Sequence, residues 1–275
     1  MPDRYDAAWA LADRFPVPWF GAAVLDQFGA HLHGDTARRT RIASVSKPIA
    51  AWAVLVAVEE GSVSLDDAIG QEGCTLRHLL SHAGGYPFEG TDPVSRPGVR
   101  RTYSNTGYDM VAAHVESRTG ITFAGYLAEA VFEPLGMDSS ELLGSCAKDV
   151  HSTVEDLLLF AGEMRRPSLI SRETYTEAVT PAFPELGGVL PGIGTMEPCP
   201  WGLGPEVRGH KHPHWTAPDS SASTFGHFGG TGTFIWYDPV IDTACVLLAD
   251  REFDEWGMEH WPQFNSAVLR CQRHG

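Results

Sequence analysis

A serine and a lysine three residues apart, Ser44 and Lys47, stand at the start of the apolar run from Ile49 to Val58. Residues i and i+3 of a helix project from the same face, so these two side chains can meet. A serine hydroxyl is a weak nucleophile until a base takes its proton, and a lysine amine can be that base only if burial lowers its pKa. The apolar run supplies such burial. The pair alone is a weak signal, since an exposed lysine at this spacing is the ordinary alternative.

A second polar segment, "RTYSNTGYD", contains Tyr103 and Asn105 at the opening of a predicted helix. The Tyr103 phenol could pass a proton, and the Asn105 amide could orient a substrate amide and Lys47. The plainer alternative is that Asn105 only caps a helix that begins near Thr106. Taken alone, this segment favours the cap.

A third segment, "TFGHFGGTGTFIWYDP", places His227 before Gly229, Gly230 and Gly232 on a predicted strand. Glycine inside a strand is unfavourable unless another group approaches the backbone closely, and a substrate lying along the strand edge is one such group. A β-bulge is the alternative explanation.

The three segments together, in this order, resemble the serine β-lactamase and penicillin-binding-protein superfamily. The tyrosine-x-asparagine form of the second segment is similar to class C β-lactamases, D-alanyl-D-alanine carboxypeptidases and family VIII esterases. The stretches "TLRHLLSHAGGYP", "FEPLGMDSS", "STVEDLLLFAGEM" and "WGLG" also resemble this family, so the likeness covers most of residues 20–250.

The resemblance implies a role for each matched residue. It makes Ser44 the acylated nucleophile, Lys47 its base partner and Tyr103 the acid or base that serves the leaving group. Asn105 would hold the substrate. His227 falls where many members carry a lysine, a replacement that esterase and peptidase relatives share.

The resemblance also implies which residues contact the substrate. The backbone N–H groups of Ser44 and Gly230 would form the oxyanion hole, with Gly229 beside them, and we expect Trp215 to wall the acyl pocket. Phe228 departs from the pattern, because that position is commonly a threonine or serine whose hydroxyl helps to bind a substrate carboxylate. Phenylalanine cannot donate that hydrogen bond.

These residues predict a serine hydrolase that forms an acyl-enzyme on Ser44 and acts as an esterase or amidase on a small neutral substrate. β-Lactamase or D,D-peptidase activity on a lactam or peptide is the alternative within the enzyme class. A catalytically silent binding or regulatory protein of the same fold is the alternative outside it, motivated by Phe228. No cofactor is expected.

The predicted fold class is α+β, an α/β sandwich in which an antiparallel sheet from both termini joins a helical lobe. Strand patterns occupy 18–35 and 222–250, the second as two runs joined at Asp238-Pro239. Ser152 is predicted to cap one helix in a capping box with Glu155. The predicted division is 1–43 and 186–275 as an α/β domain, 44–185 as an inserted helical domain, and the active site in the cleft between them. Predicted helices span 45–60, 75–82, 105–118, 122–133, 152–164, 171–179 and 258–272.

Composition excludes several partners. The formal charge of −15 disfavours nucleic acid and anionic membrane surfaces. Five scattered cysteines without C-x-x-C spacing, together with an N-terminus that reads as an amphipathic helix, predict reduced thiols and a cytoplasmic location. The sequence does not indicate an oligomeric state.

Two groups of histidines have alternative interpretations. His210, His212 and His214 alternate and would share one side of a strand, but no carboxylate or cysteine stands near them in the sequence, so we expect a loop beside the cleft and no metal. His82 is expected to be structural and to hydrogen-bond the backbone of the turn that follows it.

Overall fold

A six-stranded antiparallel sheet lies at the centre of the computed structural model, which describes residues 3–274. Its strands stand in the order β2-β1-β11-β10-β9-β8, so the first and last parts of the chain meet at the β1–β11 pair. This confirms the predicted α+β class with an antiparallel sheet. The strands are β1 (Phe20–Asp26), β2 (Gly29–Gly34), β8 (Glu206–Val207), β9 (Phe225–Gly229), β10 (Thr233–Asp238) and β11 (Thr243–Ala249).

Both faces of this sheet are covered. Side chains alternate between faces along a strand, and β11 sends Val246 into one core and Leu247 into the other. Helices α1 (Asp6–Ala12) and α9 (Glu255–His274) pack on the Leu247 face, while α2 (Ser46–Glu59) and α7 (Val154–Arg165) pack on the Val246 face. The result is a three-layer sandwich.

The chain between β2 and β8 is mostly helical. It contains α3 (Leu76–Leu80), α4 (Asn105–Thr119), α5 (Phe123–Leu127), a π-helical turn at Ala128–Phe132, α6 (Glu133–Leu135) and α8 (Arg172–Val179). Short strands β3 (Thr40–Arg41), β4 (Glu141–Leu142) and β5 (Val150–Ser152) form a second sheet, and β6 (Gly188–Leu190) pairs with β7 (Gly194–Met196). The domain boundaries stay a prediction.

Local details differ from the sequence prediction. Thr153, not Ser152, is the N-cap of α7, and its hydroxyl accepts the Asp156 N–H. Ser152 cannot take that place because it is the last residue of β5 and pairs with Thr40. The predicted two-stranded run at 222–250 contains a third strand, β9, because residues 230–232, with Gly230 and Gly232, form a turn between β9 and β10.

Candidate active site

Ser44 lies in a single 3₁₀ turn, Ala43–Val45, directly before α2. Ala43 has φ of +46°, a left-handed conformation that residues with a Cβ adopt only when the surroundings enforce it. Ser46 supplies part of that constraint, since its hydroxyl donates to the Ala43 carbonyl at 2.6 Å and accepts the Val150 N–H at 3.2 Å. The turn therefore holds the Ser44 hydroxyl in a fixed position.

Lys47 has no solvent-exposed surface, and its Nζ meets three oxygen atoms. Nζ donates to Ser44 Oγ at 3.2 Å, to Asn105 Oδ1 at 2.6 Å and to the Ala147 carbonyl at 3.0 Å. Burial lowers the pKa of the Lys47 amine to about 7. A neutral amine has a lone pair, so near neutral pH Lys47 can instead accept the proton of the Ser44 hydroxyl.

Asn105 is the first residue of α4 and does not cap it. The cap is Ser104, whose hydroxyl accepts the Gly107 N–H at 2.8 Å, so the interpretation of Asn105 as a mere cap is wrong. Because Ser104 takes that task, the Asn105 amide is available to Lys47. Asn105 Nδ2 donates to Glu89 Oε1 at 2.9 Å, which fixes the amide with its oxygen towards Lys47.

The Tyr103 ring lies over Lys47, with Nζ 4.6 Å from the ring centroid. Its phenol oxygen is 3.4 Å from His227 Nε2. Burial raises the pKa of the phenol, although a hydrogen bond with the Ser44 hydroxyl acts in the opposite direction. The hydroxyl, amine and phenol that the sequence singled out thus lie together.

His227 on β9 is buried, and burial, followed by the charge of Lys47, lowers the pKa of its imidazole to about 3. The ring is therefore neutral at ordinary pH. Nδ1 lies 2.6 Å from the Phe228 carbonyl oxygen, which can only accept a hydrogen bond, so Nδ1 carries the proton. Nε2 is then an acceptor for the Tyr103 hydroxyl.

A cavity of about 220 Å³ opens beside Ser44. The sequence-predicted residues that line it are Ser44, Tyr103, His227, Phe228 and Gly230. Among residues 3–272, whose side chains the structure describes, no lysine, arginine, aspartate or glutamate lines this cavity. The other lining residues were not singled out from the sequence, and only the "WGLG" stretch pointed towards one of them: Phe88, Leu190, Pro191, Gly192, Trp201 and Phe253.

Gly229 lies behind the cavity lining, against the turn that carries Ser44. A Cβ placed on Gly229 would lie 2.5 Å from the Ile42 carbonyl oxygen and 2.3 Å from Thr233 Oγ1. The group that approaches this strand closely is therefore the backbone of Ile42, directly before the turn that carries Ser44. Glycine lets β9 run directly beside the nucleophile turn.

Trp215 does not wall the cavity. It is buried in the core, where its Nε1 donates to Glu206 Oε2 at 2.7 Å. Trp201 occupies the wall instead, with its ring centroid 5.7 Å from that of Tyr103.

Glu206 also changes the interpretation of the three histidines, which do not form a strand. The expectation that no carboxylate stands near them is wrong, because Glu206 lies only eight residues before His214 in the sequence and meets its Nε2 at 2.9 Å. The Lys211 ammonium lies 2.7 Å from the same carboxylate oxygen. Burial raises the pKa of Glu206, but the charges of Lys211 and His214 outweigh it and the net shift is downward. Among the side chains that the structure describes, those of residues 3–272, no three His, Cys, Asp or Glu side chains converge as a metal site would need.

His82 has a different partner from the one expected. Its Nδ1 accepts the Ser104 N–H at 3.1 Å, far along the chain, and its ring lies 4.4 Å from that of Tyr103. Burial lowers the pKa of His82 well below its ordinary value. A neutral, buried His82 supports the loop that carries Tyr103.

The sequence and the structure resemble known proteins over most of the chain. A β-lactamase from Mycobacterium bovis is 46% identical, with a TM-score of 0.95 over 96% of this chain and 99% of that one. Simvastatin synthase from Aspergillus terreus is 16% identical, with a TM-score of 0.79 over 98% and 95%, and shares the fold. No helix among residues 3–274 combines the length and the apolar character needed to cross a membrane.

Curated relatives match over shorter parts. A penicillin-binding protein of Bacillus subtilis is 26% identical over 37% of this chain and 30% of its own length. The matched part of the chain spans between 30% and 64% of the length of the curated relatives, a penicillin-binding protein and two β-lactamases, which is less than two thirds in each case. The profile of the Beta-lactamase family nevertheless matches residues 19–268, which include every part of the site described above. The chain belongs to the Beta-lactamase family.

Proposed function

We propose that this protein is a serine hydrolase that forms an acyl-enzyme on Ser44. The observation that carries the proposal is the contact between Ser44 Oγ and a fully buried Lys47 amine whose pKa is lowered to about 7. Such an amine is partly neutral at neutral pH and can take the serine proton. Family membership supports the same reaction class.

The reaction divides between the residues of the site. Lys47 takes the proton of Ser44 as Oγ attacks the substrate carbonyl carbon, and the backbone N–H groups of Ser44 and Gly230 receive the developing oxyanion. Tyr103 gives its hydroxyl proton to the leaving alcohol or amine as the ester or amide bond breaks, and the proton that Lys47 took from Ser44 then restores the phenol. His227 Nε2 orients the phenol. Water then attacks the acyl carbon and gives up a proton to the basic groups of the site. The bond from the acyl carbon to Ser44 Oγ breaks, that proton returns to Oγ, and the acid is released.

The cavity favours a small, neutral ester or amide. Its lining lacks a permanent cation, His227 is neutral, and Phe228 presents a ring where relatives place a hydroxyl. A carboxylate bound here would lose its hydration without gaining a charged partner, which is costly. An uncharged acyl group loses little hydration and gains contact with the apolar wall.

Lactam or D,D-peptide hydrolysis is the second candidate, favoured by the names of the relatives, which include β-lactamases and a penicillin-binding protein. A silent binding protein is the third. The same fold hosts different activities, so the site has to be tested directly.

A covalent probe tests the proposal. We expect a fluorophosphonate to form one covalent adduct, detected by intact mass, and we expect the protein to hydrolyse short nitrophenyl esters. Ser44→Ala should lose both the adduct and the hydrolysis. Ser117→Ala, which alters an exposed serine, should keep both. Turnover of nitrocefin faster than of the esters would favour the lactamase. Absence of any adduct at Ser44 would leave only the silent binding protein.

A further inference from the structure

A second cavity, of about 310 Å³, adjoins the first. Phe88, Tyr103 and Pro191 line both cavities, so the two meet at the Tyr103 ring. Ser44 and Gly230 line only the first cavity. Val189 lines only the second.

This division separates the two halves of a substrate. A carbonyl attacked by Ser44 must lie in the first cavity, near the Gly230 N–H. The leaving oxygen or nitrogen must reach the Tyr103 phenol to receive a proton, and Tyr103 forms the border of the second cavity. The group attached to the leaving atom therefore continues into the second cavity.

The chemistry of the second cavity favours an apolar group. Phe88 is 53% exposed and Val189 is 56% exposed, so a ligand there would remove apolar surface from water. The Arg101 guanidinium in its wall already donates to four backbone carbonyls, and Arg100 is exposed at its edge. Neither arginine presents a buried, unpaired charge to a ligand.

We propose that the cavity lined by Phe88, Val189 and Pro191 is the leaving-group site, and that it selects esters of bulky apolar or aromatic alcohols. This proposal rests on the proposed function, because a leaving-group site requires the acyl transfer to Ser44, and it adds the class of ester that the site selects. The larger cavity takes the alcohol and the smaller one takes the acyl group, so the preferred ester has a short acyl chain and a large alcohol.

Substitutions that alter one cavity at a time test this assignment. Val189→Trp fills the second cavity, and we expect it to lower the ratio of kcat/KM for 2-naphthyl acetate to that for phenyl acetate by about tenfold. Phe253→Leu enlarges only the first cavity, and we expect it to change the ratio for acetate and butyrate esters while the naphthyl-to-phenyl ratio stays unchanged. Val240→Trp adds the same bulk at an exposed turn outside both cavities and leaves both ratios as in the parent.

A binding measurement separates failure of this inference from failure of the proposed function. We expect 2-naphthol to bind Ser44→Ala protein, measured by its fluorescence, and to bind several-fold more weakly when Val189→Trp is added. If turnover depends on Ser44 but Val189→Trp leaves the ratio of kcat/KM for 2-naphthyl acetate to that for phenyl acetate unchanged, the leaving-group site is overturned and the hydrolase is not. Loss of all Ser44-dependent turnover overturns the hydrolase, whereas Val189-dependent binding of naphthol would still support the site.

Discussion

Lys47 is wholly buried, yet its amine has to be neutral to accept the Ser44 proton. The pKa of Lys47 is lowered to about 7. As the pH increases towards 7, the neutral fraction of the amine therefore rises about tenfold per pH unit, and above pH 7 this fraction levels off. We therefore expect kcat/KM for a neutral ester to rise with pH and reach a plateau above neutrality. Lys47→Met should lose about 10²- to 10⁴-fold in kcat/KM, together with this pH dependence. The measurement is the pH profile of nitrophenyl acetate hydrolysis, corrected for the spontaneous rate.

Two surface residues near Asn105 allow that profile to be shifted in either direction. The negative charge of Glu89 raises the pKa of Lys47, and the positive charge of Lys148 lowers it. Glu89→Gln should therefore move the rising limb of the pH profile to lower pH, and Lys148→Met should move it to higher pH, each by about a few tenths of a unit. Glu89→Gln should also slow the reaction, since the Asn105 amide loses the carboxylate that fixes its orientation.

High salt provides the control for this pair. Both charges are near the surface, so their influence on Lys47 should shrink in about 1 M salt, where the Debye length is about 3 Å. Shifts of the same sign in the two variants would contradict an electrostatic origin and point to a change of structure around Asn105.

The sequence predicted the convergence of Ser44, Lys47 and Tyr103, and the structure places them together. It did not predict Glu89, because the loop that carries it has no helical or strand periodicity to fix the direction of a side chain. Trp215 was a wrong candidate for a related reason. Trp215 lies in a loop, whose sequence does not fix the direction of the side chain, and the folded loop turns its Nε1 back to Glu206 on β8.

The approach of β9 to the nucleophile turn depends on Gly229. A Cβ there would meet the Ile42 carbonyl at 2.5 Å, and the backbone cannot yield without moving β9 or the turn. We expect Gly229→Ala to lower the free energy of unfolding by about 1–3 kcal/mol and to reduce kcat, because Ser44 moves relative to the cavity. Urea unfolding followed by tryptophan fluorescence measures the first effect, and ester turnover measures the second.

Gly230, the next residue, is the matched control for stability. A Cβ on Gly230 would have no heavy atom within 4 Å, so Gly230→Ala should unfold at the same urea concentration as the parent. Equal stability of the two alanine variants would show that β9 does not need the close approach seen here.

Elements with a strong local signal were predicted well, and those that depend on neighbours were not. The apolar run from Ile49 to Val58 forms most of α2, as expected. The sequence predicts the cap of α7 one residue early, because Ser152 and Thr153 are both good caps and only the pairing of Ser152 with Thr40 decides between them. The strand β9 was merged with β10 because glycines inside a strand and in a turn look alike in sequence.

The central sheet joins strands from the first and last parts of the chain, and this part of the prediction is confirmed. The order of the strands could not be read from their patterns, since any antiparallel neighbour satisfies the same alternation. The three-layer packing has one consequence for the thiols. Four cysteines are buried, and Cys271 near the end of α9 is partly exposed.

This distribution predicts how the five thiols react. Burial raises the pKa of all of them, to about 11 for Cys74, so near pH 8 few are thiolates and four cannot meet a reagent. We expect Ellman's reagent to modify at most one thiol of the native protein, slowly, and all five after unfolding in guanidinium chloride. Cys271→Ser should abolish the native reaction and leave four thiols in the unfolded protein. Rapid modification of a second thiol under native conditions would mean that the protein opens far more readily than its packing allows, because each of the other four cysteine side chains is buried.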